Sequence, residues 1–437
     1  MNRPANSDGW KFWAGVVLAA SSAALFATAF RSAIGAVLHA VSGETSVVAA
    51  FHRLPFWVRL AAPACGGFLA GVVGLVAARL PASHGVGDVM EAVVLGRVRL
   101  SMRVTLLKSL ASWLAIVSGG SLGREGPLIQ FGGAAGQRSG ELLRLPADRI
   151  RLLIAAGTAA GFAAAYNTPF AAVLFVIEVV MGVVVIDALL PVLLATVIAT
   201  AIARIAAGPG PIYGERAFQL QSPLEFVAFA GLGLVTALAA QGFMRIIAFA
   251  EKSFHRSWFK NPWRPAIGAA LAAVIIAFIP EVAGNGYEPL NELLDGRFGV
   301  AFLMLLLAGK CLATASCVSS GSPGGVFTPT LLIGGIVGYS LAVALTAAGI
   351  PLGSPGGYAL VGMASATAAT THAPLMAAVL VFELSSDYAI ALPLILAVAV
   401  ATLVSRMINR ESIYAGELRR RGVEWELTME GRSVRTR

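Results

Sequence analysis

Residues 311–382 read CLATASCVSSGSPGGVFTPTLLIGGIVGYSLAVALTAAGIPLGSPGGYALVGMASATAATTHAPLMAAVLVF, and these 72 residues include no Asp, Glu, Lys or Arg. The hydrocarbon core of a bilayer is about 30 Å thick, and a helix needs about 20 residues to cross it. A charge-free stretch of this length therefore has room for about three crossings. Backbone polar groups inside lipid must be paired within the chain, which leaves helices or a closed barrel. Because the apolar runs are long and continuous, we predict an all-α polytopic membrane protein.

The rest of the chain has the same character, with 57% hydrophobic and 13% charged residues among 437. A soluble globular protein is about 25% charged. The net charge of +9 does not indicate nucleic-acid binding, because the basic residues lie at the ends and in a few connections between apolar runs. Lys and Arg accumulate on the cytoplasmic side of membranes, and the richest cluster (Arg406, Arg410 and 419–421) follows the last apolar run. With Arg3 and Lys11 before the first run, we expect a multi-pass cell-membrane protein with both termini cytoplasmic.

Motifs for metals, cofactors and catalysis are not found in the sequence. The cysteines are odd in number and lack metal-site spacing, so we expect neither a disulfide framework nor a metal site at Cys65, Cys311 and Cys317. The five histidines form no HExxH pair, and no GxxxxGK phosphate loop occurs. An intramembrane enzyme would need a catalytic pair, and His372 has no acidic partner in the charge-free stretch. We expect no enzyme activity and no cofactor.

An internal repeat organises the chain. Residues 118–136, SGGSLGREGPLIQFGGAAG, align with residues 320–338, SGSPGGVFTPTLLIGGIVG, at an offset of 202. A second match, at an offset of 205, pairs residues 157–178 with residues 362–383 through Gly, Pro and Glu. With both termini on one side, two equal halves that each cross an odd number of times lie in opposite orientations. The repeat therefore predicts the inverted-repeat architecture of transporter-like folds.

The predicted organisation is a first half at 1–207, a linker at 208–223, a second half at 224–407 and a short cytoplasmic tail at 408–437 without appended regulatory domains. Several predicted helices have only 10 to 17 residues, too few to span a bilayer, so we expect them to be tilted or broken inside it. The predicted helices lie near residues 12–38, 59–80, 104–118, 128–140, 149–165, 170–190, 191–207, 224–252, 265–280, 298–316, 329–348, 357–371, 374–385 and 390–407.

Both repeat copies place a glycine-rich loop before a proline that opens an apolar helix, at Gly123–Pro127 and Gly325–Pro329. Proline suits the first turn because the N–H it lacks would be unpaired there. A helix start carries about half a positive charge, and two such starts that point at one position form an anion site. The alternative is that these glycines only allow close helix packing. Two related copies favour anion binding.

The motifs SLGREGP at 121–127 and GGVFTP at 324–329, together with Tyr414, resemble the CLC family of chloride channels and chloride/proton antiporters. The resemblance covers residues 60–415 approximately. It implies a homodimer in which each subunit has its own anion pathway, formed by short, tilted and broken helices in an inverted repeat. The implied partners are chloride or a similar small anion and the lipid bilayer.

The resemblance also implies residue roles. Glu125 corresponds to the gating glutamate, whose carboxylate occupies an anion position when ionised and leaves it when protonated or displaced. A carboxylate at a helix start mimics the anion that such a site holds. In the repeat copy Phe327 takes this position, so capping alone does not require glutamate. The implied anion-binding set is Gly123, Arg124, Gly126, Val326, Phe327 and Tyr414, with the amides of 326 and 327 and the tyrosine hydroxyl around a central anion.

One departure from the family pattern concerns the serine-bearing stretch of the first half. The family's Gly-Ser-Gly-Ile-Pro appears here as Ser83-His-Gly-Val-Gly87, which puts His84 where the coordinating serine usually stands. A neutral imidazole can donate one hydrogen bond as serine does, and its ordinary pKa of about 6.5 would make the contact pH-dependent. The alternative is a packed histidine without contact to the anion.

A second departure concerns protons. Antiporters of the family commonly carry an inner glutamate directly after the position of Glu178, and this chain has Val179 there. Valine cannot relay a proton, so the proton-relay position is lost. Glu178 has a repeat partner in Glu383, which favours a structural role at helix ends. The motifs favour a gated passive chloride channel with Glu125 as its gate. A chloride/proton antiporter and a fluoride-selective exporter remain the alternatives, and a cation-coupled solute transporter would need more intramembrane carboxylates.

Overall fold

The structure is a computed structural model that describes residues 9–79, 85–96, 98–208, 213, 218, 220–223, 225–256, 262–420, 423–428 and 431–436. The helices before residue 208 are α1 (Gly9–Ser42), α2 (Val47–Arg53), α3 (Phe56–Ala78), α4 (Val86–Val94), α5 (Met102–Val117), α6 (Glu125–Leu142), α7 (Ala147–Tyr166), α8 (Pro169–Leu174) and α9 (Ile186–Ala207). A π-helical segment, Phe175–Met181, continues α8.

The helices after the predicted linker are α10 (Glu225–Arg256), α11 (Trp263–Phe278), α12 (Tyr287–Leu294), α13 (Val300–Ser319), α14 (Phe327–Ala347), α15 (Pro355–Thr371), α16 (Pro374–Ser385), α17 (Ala391–Ile408) and α18 (Ile413–Arg420). A 3₁₀ turn at Pro280–Val282 precedes α12. Two short strands near the C-terminus, β1 (Val423–Thr428) and β2 (Gly431–Thr436), pair as an antiparallel hairpin. The hairpin lies in the predicted tail, outside the helical region.

The helical region has the composition of a membrane-spanning bundle. Among the described residues, seven helical segments are long and apolar enough to cross a bilayer. The apolar segments α11, α16 and Pro169–Met181 are shorter. Large apolar side chains such as Ile186 and Ile205 are 80% and 88% exposed, as expected where lipid rather than water covers a surface. The prediction of an all-α polytopic membrane fold with short, broken helices is confirmed.

The second half repeats the packing of the first. In α3, a Cβ at Gly66 would overlap the side chain of Ser118, and in α11 a Cβ at Gly268 would overlap that of Ser320. The two glycines and the two serines are each 202 residues apart. Likewise α6 packs along α7 as α14 packs along α15. The repeat found in the sequence is therefore a repeat in three dimensions.

Two carboxylates link the halves reciprocally. Glu178 accepts hydrogen bonds from the N–H groups of Leu375 and Met376 at the start of α16, at 3.2 and 2.7 Å. Its repeat partner Glu383 accepts from Phe170 and Ala171 at the start of α8, at 3.1 and 2.8 Å. Each carboxylate pairs backbone donors that a helix start leaves without an intrahelical acceptor. Both glutamates accept hydrogen bonds at helix starts, as predicted, and each caps a helix of the other half.

One predicted helix boundary is wrong. The expected break between 190 and 191 lies instead at residues 182–185, between the π-helical segment and α9. Gly182 adopts a left-handed conformation with φ 73°, and its N–H donates to the carbonyl of Ile177 at 2.7 Å. This bond ends the helix, because glycine takes the conformation without steric cost. Pro191 lies inside α9, where it removes one early backbone hydrogen bond.

Four short helices were not predicted: α2, α4, α12 and α18. Each has seven to nine residues, which is too short to give a clear apolar period in the sequence. Helix α18 belongs to the predicted tail but packs against α4 and α15. The helical region therefore extends past residue 408, to the helix that carries Tyr414.

Candidate functional site

Two loops of the repeat meet at the centre of the candidate site. The N–H of Gly123 donates to the carbonyl of Gly325 at 2.7 Å, and the N–H of Gly325 donates to the carbonyl of Gly123 at 2.8 Å. This antiparallel bridge joins the two loops two residues before α6 and α14 begin. The starts of the two helices are thereby held next to each other, as the paired motifs predict.

The first residue of α6, Glu125, directs its side chain to the start of α14. Its Oε1 accepts from the N–H of Phe327 at 2.9 Å, and its Oε2 accepts from the hydroxyl of Thr328 at 3.1 Å. The side chain is 2% exposed. None of the ion pairs in the described part of the chain includes this carboxylate. The carboxylate is therefore held by neutral hydrogen-bond donors and by the helix start of α14, and not by a positively charged side chain.

The glycines of the bridge leave room for this carboxylate. A Cβ on Gly123 or on Gly325 would overlap the carboxylate atoms of Glu125. Gly126, the second residue of α6, faces the N–H of Gly325, since a Cβ there would lie 4.0 Å from that nitrogen. The position in which the carboxylate accepts its two hydrogen bonds is called its seat. A side chain at either bridge position would displace the carboxylate from it.

Arg124 forms the N-cap of α6 but does not point at the carboxylate's donors. Its guanidinium lies over the ring of Tyr287, 5.1 Å from the centroid, a distance typical of a cation–π contact. Tyr287 is the first residue of α12 and lies 6.3 Å from the ring of Tyr166. The predicted anion-binding Arg124 is thus adjacent to the site and held by an aromatic residue of the other half.

An aromatic cluster connects Phe327 to Tyr414. Phe327 packs edge-on against Phe162 at 5.6 Å, Phe162 stacks on Phe175 at 4.6 Å, and Phe175 meets Tyr414 edge-on at 6.3 Å. Tyr414, in the first turn of α18, is buried. The predicted site residues of α6, α14 and α18 therefore lie in one neighbourhood despite their separation in sequence.

Three further predicted positions are Val326, Val179 and His84. Val326 is the N-cap of α14, and its carbonyl accepts from the N–H and the hydroxyl of Thr330 at 3.0 and 2.8 Å. Val179 is buried within the π-helical segment, where it offers no titratable group. His84 lies outside the described residues.

Sequence reasoning missed two hydroxyl groups of the site. Thr328 donates to Glu125, and its Oγ1 also lies 3.0 Å from the hydroxyl oxygen of Tyr166, the last residue of α7. The sequence carried one signal for Thr328, which stands at the repeat position of Gly126 and so differs between the copies. No signal in the sequence connected Tyr166 with this loop.

Fold and site together define a class: a membrane protein in which two helix starts of an inverted repeat converge on a buried anionic group. A sequence model of the family described as "Voltage gated chloride channel" matches residues 66–406. The chain belongs to this family, the CLC family.

Individual relatives are similar along most of their lengths. A ClcB-like protein from Ralstonia nicotianae is 36% identical over 405 residues, which cover 91% of this chain and 94% of that protein. The voltage-gated ClC-type chloride channel ClcB of Salmonella dublin is 33% identical over 404 residues, or 90% and 95% of the two chains. A solved structure described as a slow cyanobacterial Cl⁻/H⁺ antiporter has a TM-score of 0.83 and 25% identity, and covers 94% of this chain and 98% of its own.

Proposed function

We propose that this protein carries chloride or a similar small anion across a cell membrane, through a pathway in each subunit of a homodimer, with Glu125 as its gate. The observation that carries the proposal is the seat of the carboxylate, which accepts from the N–H of Phe327 and the hydroxyl of Thr328. Neutral donors at a helix start bind an anion without the strength of a full positive charge, as conduction requires. The ionised side chain fills the position that a permeant anion would take.

Gating follows from this competition. An ionised Glu125 blocks the position with its own negative charge, and a protonated one loses the charge that the donors attract. Low pH and a high anion concentration both favour an emptied seat. We therefore expect anion flux to rise as the pH falls.

We infer passive conduction rather than proton coupling. A proton route from the cytoplasm needs titratable or hydrated groups inside the membrane, and the position after Glu178 is the buried Val179. Glu178 itself is engaged with two N–H groups of α16, which supports a structural role for it. These features favour a gated chloride channel.

A chloride/proton antiporter is the second candidate. The solved structure with a TM-score of 0.83 is described as a Cl⁻/H⁺ antiporter, and its identity to this chain is 25%. The same gate carboxylate would then exchange a proton in each cycle. A fluoride-selective exporter is a further alternative, and relative fluxes of fluoride, chloride and nitrate distinguish it from both.

The deciding experiment is the reversal potential of the purified protein in liposomes under a fixed chloride gradient, with and without a pH gradient. A channel gives a potential set by chloride alone, whereas an antiporter gives one that moves with the pH gradient. In Glu125→Gln we expect flux that no longer depends on pH. The matched control is Glu141→Gln, at the other end of α6, which should keep the wild-type pH profile.

We further propose that both termini lie in the cytoplasm, with halves 1–207 and 224–407 inverted about the linker 208–223. The basic residues after α17 support this orientation. Single cysteines at residues 5 and 434 should react with a membrane-impermeant maleimide only from the cytoplasmic side. Labelling of one terminus from the outside would contradict it.

A further inference from the structure

We propose that Tyr166 and Thr328 form a hydroxyl relay that positions the ionised carboxylate of Glu125 in the anion seat and so holds the gate closed. The proposal rests on the gate role of Glu125 proposed above. It assigns a function to two residues without a predicted site role, Tyr166 at the end of α7 and Thr328 in the first turn of α14.

The direction of the relay follows from proton counting. An ionised carboxylate only accepts hydrogen bonds, and a threonine hydroxyl has a single proton. At 3.1 Å from Oε2 of Glu125, Thr328 must donate that proton to the carboxylate. The contact of 3.0 Å between Thr328 Oγ1 and the hydroxyl of Tyr166 is then one in which Tyr166 donates. The chain of donors runs from Tyr166 through Thr328 to Glu125.

Burial strengthens the two hydrogen bonds of the relay. Tyr166 and Thr328 are each 1% exposed, and Glu125 is 2% exposed. Hydrogen bonds to an ionised group are stronger than neutral ones, and successive bonds in a low-dielectric interior strengthen one another. The tyrosine therefore stabilises the carboxylate although it does not touch it.

The hydroxyl of Thr328 does not donate to a backbone carbonyl of its own helix, as a threonine in a helix often does. Thr330, on the same helix, donates back to the carbonyl of Val326 at 2.8 Å. Thr328 instead reaches across the repeat to Glu125, on α6. The ring of Tyr166 is fixed by Phe162 at 4.8 Å and Phe327 at 5.4 Å, so its hydroxyl is presented to Thr328 by packing.

Few other groups near the seat change charge in the neutral range. Within the described part, the phenols of Tyr166 and Tyr287 interact electrostatically with the Glu125 carboxylate. Around these two tyrosines lie further titratable or charged groups: Tyr414, Arg124, Arg31, Tyr213 and Glu288. Tyrosine and arginine ordinarily titrate near and above pH 10. The contribution of the gate is therefore the part of the flux change between pH 4 and pH 8 that Glu125→Gln abolishes.

The relay has a measurable consequence. Removing the hydroxyl of Thr328 deprives the ionised carboxylate of one charge-assisted donor but leaves its protonated form almost unaffected. The gate is then protonated and opened more easily, so the midpoint of the flux-against-pH curve moves to higher pH by about one unit. Removing the hydroxyl of Tyr166 moves it in the same direction by less, because Tyr166 acts through Thr328.

The experiment measures chloride efflux from liposomes between pH 4 and pH 8 for Thr328→Val, Tyr166→Phe and the double variant. We expect the double variant to match Thr328→Val, and Thr328→Ser, which keeps a hydroxyl, to restore most of the wild-type midpoint. Thr330→Val is the matched control, since it removes a hydroxyl from the same helix that bonds only to its own backbone. Elution as a single peak in size-exclusion chromatography checks that each variant is folded.

The outcomes separate the relay from the gate. If Glu125→Gln retains the wild-type pH profile, the gate proposal fails and the relay fails with it. If Glu125→Gln is flat but Thr328→Val and Tyr166→Phe keep the wild-type midpoint, the gate stands and the relay is overturned. An equal shift in Thr330→Val, or a further shift when Tyr166→Phe is added to Thr328→Val, would also contradict the relay.

Discussion

At the scale of single residues, Gly325 controls how closely the gate carboxylate approaches the backbone of the other half. A Cβ at this position would overlap the carboxylate of Glu125, and relief of such an overlap typically costs about 1–3 kcal/mol. In Gly325→Ala the carboxylate should leave its seat, so anion flux at pH 7.5 should rise several-fold and lose most of its pH dependence. Chloride efflux at pH 7.5 and pH 5 measures both.

The control for this substitution is Gly242→Ala in α10, where a Cβ would meet nothing within 4 Å. Alanine is favourable inside a helix, so this variant should keep wild-type flux. A Gly325→Ala protein that folds and retains the wild-type pH profile would mean that the carboxylate is not displaced by the added methyl group.

Lys310 is a second residue whose role is set by burial. It has no exposed surface, and its Nζ donates to the carbonyls of Val282 and Gly284 at 3.0 and 2.8 Å. These carbonyls precede α12, whose first residue packs under Arg124. Lys310→Met leaves both without this donor, and we expect a loss of about 1–3 kcal/mol in the free energy of unfolding. Thermal unfolding in detergent measures it, and an unchanged melting temperature would contradict the assignment.

At the scale of secondary-structure elements, the sequence predicted most long helices to within a few residues. The helix predicted at 374–385 coincides with α16, and the one predicted at 390–407 differs by one residue at each end from α17. Apolar length and flanking proline are local properties, which explains this agreement. The break at Gly182 was missed because it depends on one π-type backbone hydrogen bond, and no residue pattern in the sequence predicts such a bond.

The capping glutamates show what lies beyond local pattern. The repeat predicted that Glu178 and Glu383 satisfy helix ends, but not that each caps a helix in the opposite half. That exchange depends on how the halves pack. The candidate site also has a part that the sequence predicts and a part that it does not. The paired loops are visible as a repeat in the sequence. The contact of Tyr166 with Thr328 is not, because it joins residues 162 positions apart.

Substitution of these caps gives a prediction about stability. Glutamine offers one acceptor oxygen where glutamate offers two, so Glu383→Gln and Glu178→Gln each leave one helix-start N–H unpaired. We expect each to lower the free energy of unfolding by about 1–2 kcal/mol, measured by thermal unfolding in detergent. Because the two sites are equivalent in the repeat, their losses should be similar.

Glu292→Gln in α12 serves as the control for the caps. Among the contacts of the described residues, the Glu292 carboxylate makes neither a hydrogen bond nor an ion pair. The free energy of unfolding of this variant should therefore equal that of the wild type. Glu178→Gln should also leave the reversal potential unaffected by pH. A reversal potential that changes with pH only when Glu178 is intact would instead assign that carboxylate to proton transport.

At the scale of the whole molecule, one chain supplies all the groups of the candidate site that lie in its described part. The carboxylate comes from α6, its donors from α14, the relay tyrosine from α7 and Tyr414 from α18, all within one polypeptide. The halves supply different parts, with the carboxylate from one repeat copy and its seat from the other. A single chain therefore supplies both the proposed gate carboxylate and the donors that hold it.

This self-sufficiency predicts independent transport in the proposed homodimer. Mixed dimers of wild type and Glu125→Gln, purified through two different affinity tags, should show a flux equal to the sum of one pH-dependent and one pH-independent pathway. At pH 7.5, where the wild-type gate is mostly closed, their flux should be about half that of the Glu125→Gln homodimer, because no gate residue is shared between chains. A mixed dimer with a single pH profile, or with the flux of either homodimer, would mean that the gates are coupled across the interface.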